Sequence, residues 1–121
     1  DSLKTFGIEN KTTFALLNVF GRTTKVNGRG GRDHNGSHTI MYSFGAGVKG
    51  GVIGETQVGK FKSNFEVLDL NSATGKAMGA DITATQTLHS AAKSLMVATG
   101  IPESQVNKLV TGGKVVKPFL A

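Results

Sequence analysis

The sequence predicts a mixed α/β fold with a few strands and one main C-terminal helix, on three observations. Two apolar, β-tolerant runs, "TTFALLNV" (12–19) and "SHTIMYSF" (37–44), flank a glycine-rich stretch. Residues 82–99 place apolar side chains at helical spacing. At 121 residues and 38% hydrophobic content, the chain can build one modest core, so residues 1–121 read as a single unit.

The first run is apolar throughout rather than alternating, which predicts a buried strand over 12–19. A long loop over 20–36 follows. The second strand, 37–44, sets Thr39, Met41 and Ser43 on one face and Ile40, Tyr42 and Phe44 on the other. Six glycines in 45–60 predict a turn, a short strand about Gly51–Gln57 and a further turn, with one more extended piece in 61–70. Asp81 is the expected N-cap of the helix over 82–99, because a carboxylate there accepts a free amide hydrogen and faces the positive dipole end. Leu88, Ala91, Ala92, Leu95, Met96 and Thr99 form its expected buried stripe. Gly100 suits a left-handed C-terminal cap, and Pro102 opens a second short helix that Gly112–Gly113 should close. The tail, "KVVKPFLA", begins as a short extended piece.

Composition excludes several chemistries. With no cysteine there is no disulfide, thiolate metal site or thiol nucleophile. No run approaches the ~20 apolar residues of a membrane span, and "DSLKTFGIEN" has neither the basic start nor the apolar centre of a signal peptide. The net charge of +6 forms no basic tail or stripe, and solvated surface charge accounts for it. Arg22, Lys25, Arg29 and Arg32 could serve a small polyanion-binding module. Nucleic acid is nevertheless disfavoured, since Phe20 is the one aromatic near them and single-strand binding needs several stacking rings.

Among the motifs, "GAGVKG" (45–50) matches a dinucleotide fingerprint, but "GVIGETQVG" after it has no helical period. The match therefore reads as a turn where glycine supplies positive φ or lets backbones approach closely. The sequons at Asn10 and Asn35 are short patterns without weight. "DHNGSH" (33–38) holds Asp33, His34 and His38, oxygen and nitrogen ligand types that suit a divalent metal such as zinc. Asn35-Gly36 between the histidines makes a turn, so helical convergence of the two rings is not expected and ordinary solvated side chains remain the alternative. His89 reads as a partly exposed helix residue, and no serine stands in a nucleophile elbow.

The order of the pieces adds a resemblance. "DSLKTFGIENKTT", "FALLNV", "FGRTTKVNGRGGRDHN", a strand, then "GAGVKGGVIGET" resemble the C-terminal part of an exported, sulfatase-like bacterial family. That family, domain of unknown function 1501, sits in the alkaline phosphatase superfamily. Its pattern reads approximately S-E-F-G-R-T-P-K, a Gly/Asn-rich stretch, G-R-D-H, a strand, G-G-G-V-K-G-G and G-x-T. "DITATQTLHSAAKSLMVATGIP" looks like its final helix. The resemblance implies the last portion of an α/β sandwich, in a periplasmic or extracellular protein whose nucleophile lies in a preceding segment. The partners it implies are that N-terminal remainder or other chains of an assembly.

On this view "FGRT" begins a loop at a strand's C-terminal edge, where α/β sheets place ligands. His34 would approach a metal, with Asp33 and Arg22 as polar neighbours and Arg22 holding an anion's oxygens. Two departures stand out. The family's acidic residue before "FGRT" is Val19, so one oxygen ligand is missing and ester hydrolysis is expected to be degraded or absent. His38 is extra to the pattern. The two readings are thus a pseudoenzyme segment of a metal-dependent phosphate- or sulfate-ester hydrolase and a non-catalytic structural module of a larger assembly.

Overall fold

The computed structural model describes residues 2–58 and 65–121. Helix α1 (Ser2–Thr5) and a 3-10 turn (Glu9–Lys11) lead into strand β1 (Thr13–Leu17), which pairs antiparallel with β4 (Met41–Gly45). Between them, β2 (Gly21–Arg22) and β3 (His34–Asn35) form a short antiparallel ribbon. Strands β5 (Thr56–Val58) and β6 (Phe65–Val67) make a third pair. A 3-10 turn (Ala84–Gln86), α2 (Thr87–Ala98), α3 (Glu103–Leu109) and a 3-10 turn (Lys117–Phe119) complete the chain. The class is mixed α/β, and every strand pair among the described residues is antiparallel and two-stranded.

Every buried apolar side chain among the described residues lies in the C-terminal half: Leu70, Ile82, Val106, Val115, Val116 and Phe119. Leu70, Ile82 and Val116 touch, with half-buried Ile53 against them. Leu70 and Ile82 also exchange backbone hydrogen bonds of 2.8 and 2.9 Å, closing the loop between them.

The strand expected over 12–19 forms over Thr13–Leu17, but it is not buried. Four of its five residues are exposed, with Leu16 58% accessible. The second strand begins at Met41 rather than residue 37, because Asn18 holds the Ile40 amide through its side-chain oxygen (2.7 Å) and ends the pairing there. Its faces divide as expected, yet burial is reversed from what the side chains suggest. Met41 and Ser43 are half-buried, and the aromatic Tyr42 and Phe44 are exposed.

The short strand expected about Gly51–Gln57 forms later, at Thr56–Val58. The turn expected after it falls on residues 59–60, and part of the extended piece on 61–64, both outside the described residues; the remainder forms β6.

"GAGVKG" is a turn, as its context demands. Gly45 and Gly47 have φ of 110° and 73°. A Cβ on Gly45 would collide with the Thr12 carbonyl, and one on Gly47 with the Ala98 carbonyl at the end of α2. The tail docks beside it, with Lys49 N–H donating to Phe119 O (2.9 Å) and Ala121 N–H to Gly47 O (3.1 Å).

The helix expected over 82–99 is shorter, and Asp81 does not cap it. The Asp81 carboxylate accepts the Ser72 amide (2.7 Å), the Ser72 hydroxyl (2.8 Å) and the Lys114 ammonium (2.9 Å). Asp69 instead accepts the Ala84 amide at 2.7 Å, so a 3-10 turn precedes α2. At the other end Gly100 (φ 92°) donates to Val97 O and Ile101 to Met96 O, the paired bonds of a Schellman cap. Pro102 follows and its carbonyl accepts the Gln105 and Val106 amides, but α3 ends at Leu109 in extended Val110, before the glycines expected to close it.

The expected apolar stripe of α2 is only partly inward: Ala91, Leu95 and Met96 are half-buried, and none of its six residues is fully buried. Leu88 is 55% accessible, Ala92 and Thr99 are exposed, and the buried residues are Ser90, Lys93 and Ser94. The cause is what packs there. The tail runs along α2 with bare backbone, its Lys114 and Val116 amides donating to Ser90 Oγ (3.0 Å) and Ser94 Oγ (2.8 Å). Buried amides need acceptors, and hydroxyls one turn apart provide them. Lys93 turns its ammonium to Asn107 Oδ1 on α3 (2.8 Å).

Candidate functional site

The β2–β3 ribbon is where the sequence-selected residues meet. Its register sets Gly21 opposite Asn35 and Arg22 opposite His34. Directly opposed residues share a face, and alternate residues return to it. Gly21 and Asn35 therefore turn inward and are buried, whereas Phe20, Arg22 and His34 share the outer face. The His34 ring stacks on the Phe20 ring with centroids 3.7 Å apart, and the Arg22 guanidinium lies 5.0 Å from the same ring's centroid. Phe20 thus orients both polar groups.

The ribbon is tied internally. Arg22 donates to the Arg32 carbonyl (2.8 Å), and Arg32 donates to the Thr23 carbonyl (3.1 Å). Neither guanidinium is spent on a carboxylate of the described residues. Asp33 instead accepts the Asn27 side-chain amide at 2.7 Å, and Asn27 Oδ1 in turn accepts the Arg29 and Gly31 amides, so the loop tip folds on itself. The loop expected over 20–36 is therefore a ribbon with a built tip.

The three candidate metal ligands are not gathered. Asp33 and His34 are consecutive in extended chain and face opposite ways, one to Asn27 and one to Phe20. His38 Nδ1 lies 3.1 Å from both Asn35 Nδ2 and the Phe65 carbonyl. When Nδ1 carries the hydrogen, His38 and Asn35 both donate to Phe65 O. Among the described residues no group of three or more His, Asp or Glu side chains could hold a metal ion. Asp33, His34 and His38 as a set do not fit one, and no metal-borne step is derived from them.

What the outer face offers is an exposed cation and an imidazole side by side, held over an aromatic ring. It can present N–H donors to an anion, since a guanidinium carries five and one of them serves Arg32. Val19, next to Phe20, is 87% accessible and offers nothing polar. Sequence reasoning selected Arg22 and His34 but missed Phe20 as their support. The period-2 spacing Phe20–Arg22 opposite His34 is the signal that could have found it. Asn35, buried with its amide on Phe65 O (2.9 Å), is a structural residue and no glycan acceptor. His89 is exposed, with its ring against Gly112.

No helix among the described residues is long and apolar enough to cross a membrane. No curated protein and no solved structure matches the chain. A family model described as "Protein of unknown function (DUF1501)" matches residues 1–110.

Proposed function

The chain belongs to the DUF1501 family, and on that premise we propose that it is the C-terminal scaffold segment of a larger alkaline-phosphatase-like α/β sandwich that no longer hydrolyses esters. One observation carries this reading: the paired strands β1 and β4 hold an apolar face open to water. Phe14 faces Phe44 and Leu16 faces Tyr42 across the register, and all four are exposed. A strand apolar on both sides belongs in the interior of a sheet with layers on each side. An isolated two-stranded hairpin is marginal in water. In this reading the N-terminal remainder of the same polypeptide covers the outer face and extends the sheet, and the whole works outside the cytoplasm as part of an assembly.

The ribbon then stands at the edge of that sheet. Arg22, oriented by Phe20 and Arg32, binds the oxygens of a phosphate or sulfate group. Loss of hydrolysis follows from Val19, where the family pattern has an acidic residue, and from the ungathered Asp33, His34 and His38. Binding without turnover is the expected behaviour.

The test is an aryl phosphate and aryl sulfate assay on the full natural polypeptide, with inorganic sulfate binding measured alongside. No turnover with or without added zinc, and sulfate binding weakened about tenfold by Arg22→Gln, are expected, the latter matching one charge-assisted contact. Turnover that disappears in His34→Ala would restore the enzyme reading.

A further inference from the structure

Two Asn-Gly pairs flank the β2–β3 ribbon's outer face. Asn27-Gly28 lies at the loop tip, and Asn35-Gly36 ends β3. They share a sequence but not a setting. We propose that Asn27 is a self-modification site, converted within its own loop through a cyclic imide to aspartate and isoaspartate, and that Asn35 is protected from the same reaction.

The nucleophile is the backbone nitrogen of Gly28. It donates to no group among the described residues, and glycine sets no side chain beside it. Gly28 is exposed, so solvent can take its proton. The electrophile is Asn27 Cγ. Its Oδ1 accepts the Arg29 and Gly31 amides, both at 3.0 Å, and Nδ2 donates to Asp33 Oδ1 at 2.7 Å. Asp33 therefore orients the carboxamide with its oxygen on two amide donors. Donors placed there stabilise the charge that develops on oxygen during attack.

Water and its hydroxide are the only co-reactants. Hydroxide removes the Gly28 amide proton, the nitrogen bonds to Cγ, and the carbonyl electron pair moves onto Oδ1. As that pair returns, the Cγ–Nδ2 bond breaks, and the nitrogen takes a proton from water and leaves as ammonia, which restores the hydroxide. Water then opens either imide carbonyl, giving aspartate or isoaspartate. The aspartate product sets a second carboxylate against Asp33, where like charges repel, so the tip loses the bond that closes it.

Asn35 is the internal control. Its Gly36 amide is equally free, but the Asn35 side chain is buried away from water. Nδ2 is held by Phe65 O at 2.9 Å, and Oδ1 accepts one amide, that of Ser37, at 3.0 Å.

The experiment is incubation of the full natural polypeptide at mildly alkaline pH, folded and in urea, followed by peptide mapping with mass spectrometry. In the folded protein Asn27 should convert at least about tenfold faster than Asn35, since the loss of a single oxyanion donor slows acyl chemistry by more than that. Asn27 should also convert faster folded than in urea, where the two sites should become alike. Gly28→Ala, whose Cβ would meet nothing within 4 Å, should melt with the parent and suppress conversion at Asn27. Conversion of Asn27 no faster in the folded protein than in urea, or unchanged in Gly28→Ala, would overturn the proposal.

Discussion

Phe14 and Phe44 stack across the β1–β4 hairpin, their ring centroids 5.0 Å apart and their planes within 14°. Such a pair contributes about 0.5–1.5 kcal/mol beyond its buried area. Here the rings are still 40% and 52% accessible, so about half of that area is still in water.

Leu16 and Tyr42 continue the same face. Leu16→Lys in the isolated chain should therefore shift stability by no more than about 0.5 kcal/mol, as surface substitutions do. In the longer polypeptide that the scaffold reading requires, the same change would bury an unpaired charge and should cost about 3 kcal/mol or more. Urea denaturation of both forms checks the difference.

The tail depends on the helix hydroxyls. Ser94 Oγ accepts the Val116 amide and donates to the Ser90 carbonyl, and it is buried. Ser94→Ala leaves a buried amide without an acceptor and should cost about 1–3 kcal/mol. Faster hydrogen exchange at Val116 should accompany the loss.

Asp81 makes stability fall in acid. The Lys114 ammonium, then the Ser72 amide and hydroxyl, hold its carboxyl down from about 3.8 to about 2. Its folded pKa lies below the unfolded one, so its contribution is full above about pH 4 and is lost as pH falls towards 2. Asp81→Asn should melt lower than the parent at pH 6 and should converge with it near pH 2. The site is solvent-exposed, and added salt should shrink the gap.

Gly47 tests the docking of the "GAGVKG" turn on α2. Alanine there would adopt positive φ and drive its Cβ onto the Ala98 carbonyl, for about 2–4 kcal/mol of destabilisation. At Gly50, whose Cβ would meet nothing within 4 Å, alanine should be neutral or stabilising by a few tenths of a kcal/mol. Paired thermal melts of the two variants separate turn geometry from a general effect of glycine replacement.

Features fixed by neighbouring residues were legible in the sequence. The Gly100–Pro102 helix end and the turn at Gly45–Gly47 follow from backbone preferences that a few residues decide. Features fixed at long range were not. Asp81 looks like a cap, but Lys114, thirty-three residues away, takes its carboxylate, and Asp69 serves the helix instead. Ser90 and Ser94 look like outward positions until the tail's bare amides are placed against them.

The β2–β3 ribbon was half legible. Arg22 and His34 stood out by chemistry, but their shared support, Phe20, two residues before Arg22, joins them only once the register sets Arg22 opposite His34. The composition of β1 was read correctly as apolar on both sides. The burial expected from that composition did not follow: four of its five residues are exposed.

Hydrogen exchange at the β1 and β4 amides, Thr13–Leu17 and Met41–Gly45, tests the central claim most directly when read by mass spectrometry in the isolated chain and in the full natural polypeptide. Slowing by about a hundredfold or more in the longer form is expected, since full burial of the hairpin would raise its local opening free energy by about 2.7 kcal/mol or more. Equal exchange in both forms would mean that the aromatic face stays open to water, and the scaffold-segment reading would fall with it.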